Sequence, residues 1–197
     1  METHTDISKS LHNIAIKAND CLLLLETAFI HNSPGLLKDC RGKLDSIKKE
    51  ETEVTARITG LLRENCDLKS YLEISQLLHM IGDHIEKLLE AVNKKIKEDV
   101  LFSDRGIKEI TLLFKKLLEI LKTTADLFLI KNPVLIRYIK ESETDLANKT
   151  LEYSTLHEER LIEGLCLPVA SPLYLTMLNS IHNIARDAKD IAEKIAG

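Results

Sequence analysis

Apolar residues recur at spacings of three and four along nearly the whole chain. The pattern breaks only at Asn32-Ser33-Pro34-Gly35, Asn65-Cys66-Asp67, Phe102-Ser103-Asp104, Asn132-Pro133 and the segment from Gly164 to Pro172. That period is the one-face repeat of an amphipathic α-helix, and the breaks carry the residue types that end helices. Six long helices are predicted, with no strand candidate. The third helix carries the stripe Tyr71, Ile74, Leu78, Ile81, Ile85, Leu88 and Val92, and the fourth carries Ile107, Ile110, Phe114, Leu117, Leu121, Thr124 and Phe128. Each stripe makes a seam suited to near-antiparallel packing. The second helix runs Leu37, Cys40, Leu44, Ile47, Glu51, Val54, Ile58 and Leu61, which puts a carboxylate on its seam. An unpaired buried charge is costly, so Glu51 is expected to find a partner or to lie at an open edge. The fifth helix is the most polar, with Ile139, Leu146, Tyr153 and Leu156 as its apolar stripe. Ser103, Asn132 and Ser171 suit N-caps, and Pro133 and Pro172 follow two of them, where a missing N–H is harmless.

The stretch YLEISQLLHMIGDHIEKLLEAV from Tyr71 returns in altered form as YLTMLNSIHNIARDAKDIAEKI from Tyr174, 103 positions on. Tyr71/Tyr174, Leu72/Leu175, His79/His182, Ile81/Ile184 and Glu90/Glu193 are identical pairs, while Phe29/Phe128 and Pro34/Pro133 relate the earlier helices with a shift of 99. A self-similar period of this length marks a repeated structural unit. The expected fold is all-α: a tandem duplication of a three-helix bundle, residues 1-98 and 99-197, related by a pseudo-two-fold. Helices of about 25 to 30 residues would be roughly 40 Å long, and short links between them force up-down neighbours.

Composition narrows the function classes. The chain has 197 residues, 44% apolar and 4% aromatic, with no Trp and a formal net charge of −4. Acids and bases are mixed throughout, so the electrostatic footprint of a nucleic-acid binder is missing. The apolar runs Cys21–Leu25 and Leu127–Ile130 fall far short of the roughly 20 residues of a membrane span, so no insertion is expected. The polar, acidic start from Met1 to Asp6 is unlike a signal peptide, so a cytoplasmic location is expected, with a peripheral position at the inner face of the membrane as a variant of it. Cys21, Cys40, Cys66 and Cys166 form no CxxC pair and read as reduced, partly buried small side chains.

Catalytic patterns are missing: the chain holds no glycine-rich phosphate loop, no G-x-S-x-G, no H-E-x-x-H and no G-x-G-x-x-G, and it is read as a non-enzyme. Metal ligation is the chemistry its helices offer. Glu141 and Asp145 are four apart, hence on one face, where two hard oxygen donors can share a cation. His79 and Asp83 repeat that spacing in the third helix, where an imidazole and a carboxylate suit a transition metal or a plain hydrogen bond. The Glu141/Asp145 pair reads more readily as ordinary solvated surface in a chain with 29% charged residues, and His79 more readily as a packing or capping residue than as a metal ligand.

The run His79-Met80-Ile81-Gly82-Asp83-His84 and its copy His182-Asn183-Ile184-Ala185-Arg186-Asp187 resemble the paired E-R-I-G-D-H signatures of the PhoU family. Phe102-Ser103, the Glu141/Asp145 pair and His157-Glu158-Glu159-Arg160-Leu161 before Gly164-Leu165-Cys166 resemble the PhoU-like cytoplasmic tail of sodium/phosphate cotransporters. The family signature's Glu-Arg is replaced by His79-Met80 and His182-Asn183, and the second copy's Asp by Arg186. The resemblance implies a duplicated three-helix fold and a regulator or accessory of phosphate transport and phosphate homeostasis. Its implied partners are a membrane phosphate transporter or its signalling proteins, with a homodimer as a candidate assembly. It also implies carboxylate ligands for iron, zinc or another divalent metal, which fall on Asp83, Glu141 and Asp145. A helical metal-binding protein and a purely structural bundle stand as the alternatives.

Overall fold

The computed structural model describes residues 4–62 and 68–196, so the predicted break at Asn65-Cys66-Asp67 lies outside the described residues. Six helices follow one another: α1 (His4–His31), α2 (Pro34–Leu61), α3 (Lys69–Lys97), α4 (Asp104–Leu127), α5 (Pro133–Ile162) and α6 (Ser171–Ala196). No strand forms among the described residues.

The breaks act through local backbone chemistry. Asn32 and Asp99 end α1 and α3 with φ of 51° and 50°, a left-handed conformation that short polar side chains tolerate, and Gly164 ends α5 with φ of 72°. Two of the three expected caps form: the Gly106 N–H donates to Ser103 Oγ at 3.2 Å and the Val134 N–H to Asn132 Oδ1 at 2.9 Å. Ser171 differs, because a single 3-10 turn, Pro168–Ala170, feeds directly into α6 and Ser171 becomes the first residue of that helix.

Within each half the three helices pack on one another, α1 with α2 and α3, and α4 with α5 and α6. The halves join through α3 against α6 and α1 against α4. The core is thus a four-helix layer of α1, α3, α4 and α6, flanked by α2 on one side and α5 on the other. Both cross-half pairs are antiparallel: Lys194 near the end of α6 reaches Glu73 near the start of α3, and the His12 ring at the start of α1 bonds the Ala125 carbonyl at the end of α4 at 2.9 Å. The seam of α3 is buried from Ile74 to Val92, with Tyr71 half-buried at its head. The seam of α4 is buried from Ile110 to Phe128. At one end of the layer Phe29, Phe102, Phe114 and Tyr174 form a string of ring contacts 5.9 to 6.2 Å between centroids, linking α1 to α4 and α6.

The duplication has a physical counterpart in equivalent contacts. Tyr71 and Tyr174 each sit at the head of the third helix of their half and reach back to its first helix, Tyr71 to the Ser8 hydroxyl at 3.3 Å and Tyr174 to Glu109 at 2.5 Å. His84 and Asp187 stand 103 positions apart, the repeat distance, and meet across α3 and α6 at 3.6 Å. Equivalent residues touch only where a two-fold axis passes, so this contact locates the pseudo-axis. The expected boundary at 98/99 falls in the link between α3 and α4.

On α5 the buried face runs through Ile139, Glu143, Leu146, Thr150, His157 and Arg160. This corrects the expected stripe at its lower end, where His157 and Arg160 rather than Leu156 turn inward.

Candidate functional site

In the first half the polar residues gather between α2 and α3. Glu51, buried on its seam, accepts hydrogen bonds from the Thr55 hydroxyl at 2.7 Å and from His79 Nδ1 at 3.1 Å, with the Ser75 hydroxyl at 3.4 Å. The predicted buried carboxylate is therefore partnered. On the other side of the same imidazole, His79 Nε2 lies 3.7 Å from Asp83 Oδ2. The two carboxylates address opposite nitrogens of one ring, so the donors diverge instead of converging on a point. Lys48 of α2 then takes the cation's place, with Nζ at 3.1 Å from Asp83 and 2.6 Å from Glu86. The hydrogen bond to Glu86 holds the Lys48 ammonium above the usual lysine range.

In the second half Glu141 and Asp145 lie one turn apart and exposed on α5, as their spacing predicts. Asp145 is bound by Lys116 at 2.7 Å, which holds its carboxyl below the ordinary range, and Glu141 faces Arg137 at 3.8 Å. The four candidate ligands thus divide into His79 with Asp83 on α3 and Glu141 with Asp145 on α5. Among the described residues no group of three or more His, Cys, Asp or Glu is placed to hold a metal ion. The duplicated interfaces use one tie with exchanged signs: Glu86 of α3 binds Arg41 and Lys48 of α2, while its repeat counterpart, Lys189 of α6, binds Glu143 of α5 at 3.0 Å.

The most enclosed polar cluster is one that the spacing of residues did not single out. The two terminal nitrogens of Arg160 donate to the two oxygens of Glu109 at 2.9 and 2.7 Å, and Tyr174 donates to the same carboxylate at 2.5 Å. All three are buried, and His157 stacks on the Tyr174 ring with centroids 4.4 Å apart. Burial raises the Tyr174 phenol, and the hydrogen bond to Glu109 raises it further, so it stays a neutral donor. Burial and then the Arg160 charge pull His157 down, leaving the imidazole neutral at pH 7. A bidentate guanidinium–carboxylate pair is among the stronger protein contacts, and here it ties α4, α5 and α6 at one point. The adjoining cavity, lined by Ser103, Gly106, His157, Cys166 and Tyr174, has a volume of about 10 Å³, far below what a small-molecule substrate needs. The cluster is a structural lock. Its sequence signal was register: His157 and Arg160 stand 99 positions after the seam residues Ile58 and Leu61.

Between the halves, Asp187 is only 1% exposed and its Oδ2 has no hydrogen-bond partner among the described residues. Burial pushes its carboxyl up to about 6, against the opposing pull of Arg186. Burial likewise pushes the facing His84 down.

In addition to Leu151 on α5, 71% exposed, the surface carries exposed apolar side chains at the connections. Ile162 at the end of α5 and Leu165, Leu167 and Val169 on the α5–α6 link are 87%, 64%, 52% and 60% exposed, and Leu101 on the α3–α4 link lines the same small cavity as Leu167. No helix among the described residues is long and apolar enough to cross a membrane.

A duplicated six-helix bundle with internally paired charges defines a structural class, and solved structures give that class a name. The chain adopts the PhoU fold. It is similar to PhoU from Pseudomonas aeruginosa with a TM-score of 0.86 at 17% identity, over 96% of this chain and 93% of that one. Its similarity to the phosphate transport system regulatory protein PhoU from Streptococcus pneumoniae has a TM-score of 0.85 at 14% identity, over 98% and 92% of the two chains. A PhoU-like protein from Shewanella oneidensis MR-1 aligns with a TM-score of 0.67 at 14% identity, over 96% and 97%. No protein-family model and no curated protein matches the sequence.

Proposed function

We propose that this chain is a non-enzymatic cytoplasmic regulator or accessory of phosphate transport, acting by contact with a membrane phosphate transporter or its signalling proteins. The observation that carries the reading is the fold likeness over almost the full length of both chains, to structures whose names include a phosphate transport regulator. The distribution of side chains supports it. Glu109, Arg160 and Tyr174 are engaged with one another in the second half, and Glu51, Thr55, Ser75 and His79 in the first. Leu101, Ile162, Leu165, Leu167 and Val169 are exposed at or beside the α3–α4 and α5–α6 connections, where a partner surface can cover them.

Deleting the gene tests the reading. Phosphate accumulation or the expression of phosphate-responsive genes is expected to change, while purified protein shows no phosphatase turnover. A deletion strain with unchanged phosphate physiology under both rich and starved conditions overturns it. In a pull-down from membranes of phosphate-starved cells, Leu165→Asp with Val169→Asp is expected to lose the transporter or signalling protein that the parent chain retains.

A further inference from the structure

The two cysteines at the α1–α2 crossing are the feature that the regulator reading leaves unused. Cys21 and Cys40 are both fully buried, and each thiol points at the main chain of the other's helix: Cys21 Sγ is 3.7 Å from the Cys40 carbonyl, and Cys40 Sγ is 3.5 Å from the Cys21 carbonyl. Reciprocal contacts of this kind put the two side chains side by side where the backbones approach closely. The duplication supplies an internal control. Ninety-nine positions on, the equivalent positions on α4 and α5 hold Ile120 and Ile139, both also fully buried. A crossing that needs only apolar filling uses two large branched side chains in one copy, whereas the other copy carries cysteine at both facing positions and at no other place on that seam.

We infer that Cys21 and Cys40 form a reversible intramolecular disulfide under oxidising conditions, pinning α2 to α1. With hydrogen peroxide as oxidant the atoms balance in two steps. The Cys21 sulfur attacks one peroxide oxygen, the O–O bond breaks, and water leaves with the thiol proton, giving a sulfenic acid. The Cys40 sulfur then attacks the Cys21 sulfur, the S–O bond breaks, and a second water departs with the Cys40 proton. Two thiols are oxidised by two electrons and one peroxide becomes two waters. The order of attack follows the environment, because the hydrogen bond from Cys40 lowers Cys21 while the same contact and burial raise Cys40. The bond closes the α1–α2 hairpin covalently, so α2 can no longer separate from the core without α1.

The test uses the full chain with Cys66→Ser and Cys166→Ser, leaving only the pair. After peroxide treatment of the folded protein, alkylation under denaturing conditions is expected to find both thiols blocked. Peptide mapping is expected to show the Cys21–Cys40 bond, dithiothreitol to restore both thiols, and the oxidised form to unfold at higher urea than the reduced form. Because access to a buried pair is slow, the same chain is also refolded from denaturant in a glutathione redox buffer, where access is no barrier. If neither route gives the intramolecular bond, or if the cross-linked chain fails to recover the native circular dichroism spectrum, the geometry does not support a disulfide and the inference is overturned.

Discussion

Replacing Arg160 with methionine tests whether the buried network at the head of α6 holds the second half together. The substitution keeps the length and apolar bulk of the side chain and removes only its charge and donors. Glu109, 6% exposed, is left with Tyr174 as its close donor and with Arg105 Nε 3.7 Å away on the exposed side. Breaking a buried pair by removing one partner typically costs about 3–5 kcal/mol, because the remaining charge is stranded in a poor solvent. For a urea slope of about 2–3 kcal/mol/M, that corresponds to a midpoint lowered by roughly 1–2.5 M. Urea titration followed by circular dichroism reads the shift directly. Adding Glu109→Gln to Arg160→Met removes the stranded charge but keeps an oxygen for the Tyr174 hydroxyl, so the double variant is expected to be more stable than Arg160→Met alone. Contacting residues in one network are non-additive. An Arg160→Met midpoint within experimental scatter of the parent, or a double variant whose loss equals the sum of the singles, refutes the lock.

Two further outcomes follow from the charges at the interfaces. The folded state binds the Asp187 proton more tightly than the unfolded chain, with a folded value of about 6 against 3.8. Its contribution to stability is therefore fully present below the unfolded value and lost as pH rises through the folded one. At pH 7 the buried carboxylate costs about 3 kcal/mol on this reckoning, so Asp187→Asn is expected to stabilise the protein there, with the gain over the parent vanishing toward pH 4. His84, whose folded value is depressed, acts in the opposite sense, and the difference between parent and variant curves isolates Asp187. An Asp187→Asn chain less stable than the parent at pH 7 contradicts the assignment. The metal reading turns on Lys48, because its ammonium stands where a cation would meet Asp83 and Glu86. Elemental analysis after incubation with iron, manganese or zinc is expected to give more bound metal for Lys48→Ala than for the parent, and Asp83→Ala in that background to reverse the gain. Equal loading of all three chains disposes of a site on this face.

What the chain states on its own is the part of the structure governed by short-range periodicity. The spacing of apolar residues along α3 and α4, the turn residues at Asn32, Asn132 and Gly164, and the two matching tyrosine-led stretches give the helices, their ends and their duplication, because helix geometry places residues three and four apart on one face in any surroundings. The same rule puts His79 beside Asp83 and Glu141 beside Asp145. It is silent about what stands opposite. Whether a carboxylate meets a metal, a lysine or another acid depends on the register between helices, and that is set by packing of whole faces across large sequence separations. Only the tertiary structure brings Lys48 to Asp83, Lys116 to Asp145 and Arg160 to Glu109, sets His84 against Asp187 at the pseudo-axis, and places Cys21 against Cys40. The polar lower half of α5 shows the limit most clearly. His157 and Arg160 look like surface residues to any rule of hydropathy, yet they are buried because Glu109 and Tyr174 wait for them on two other helices.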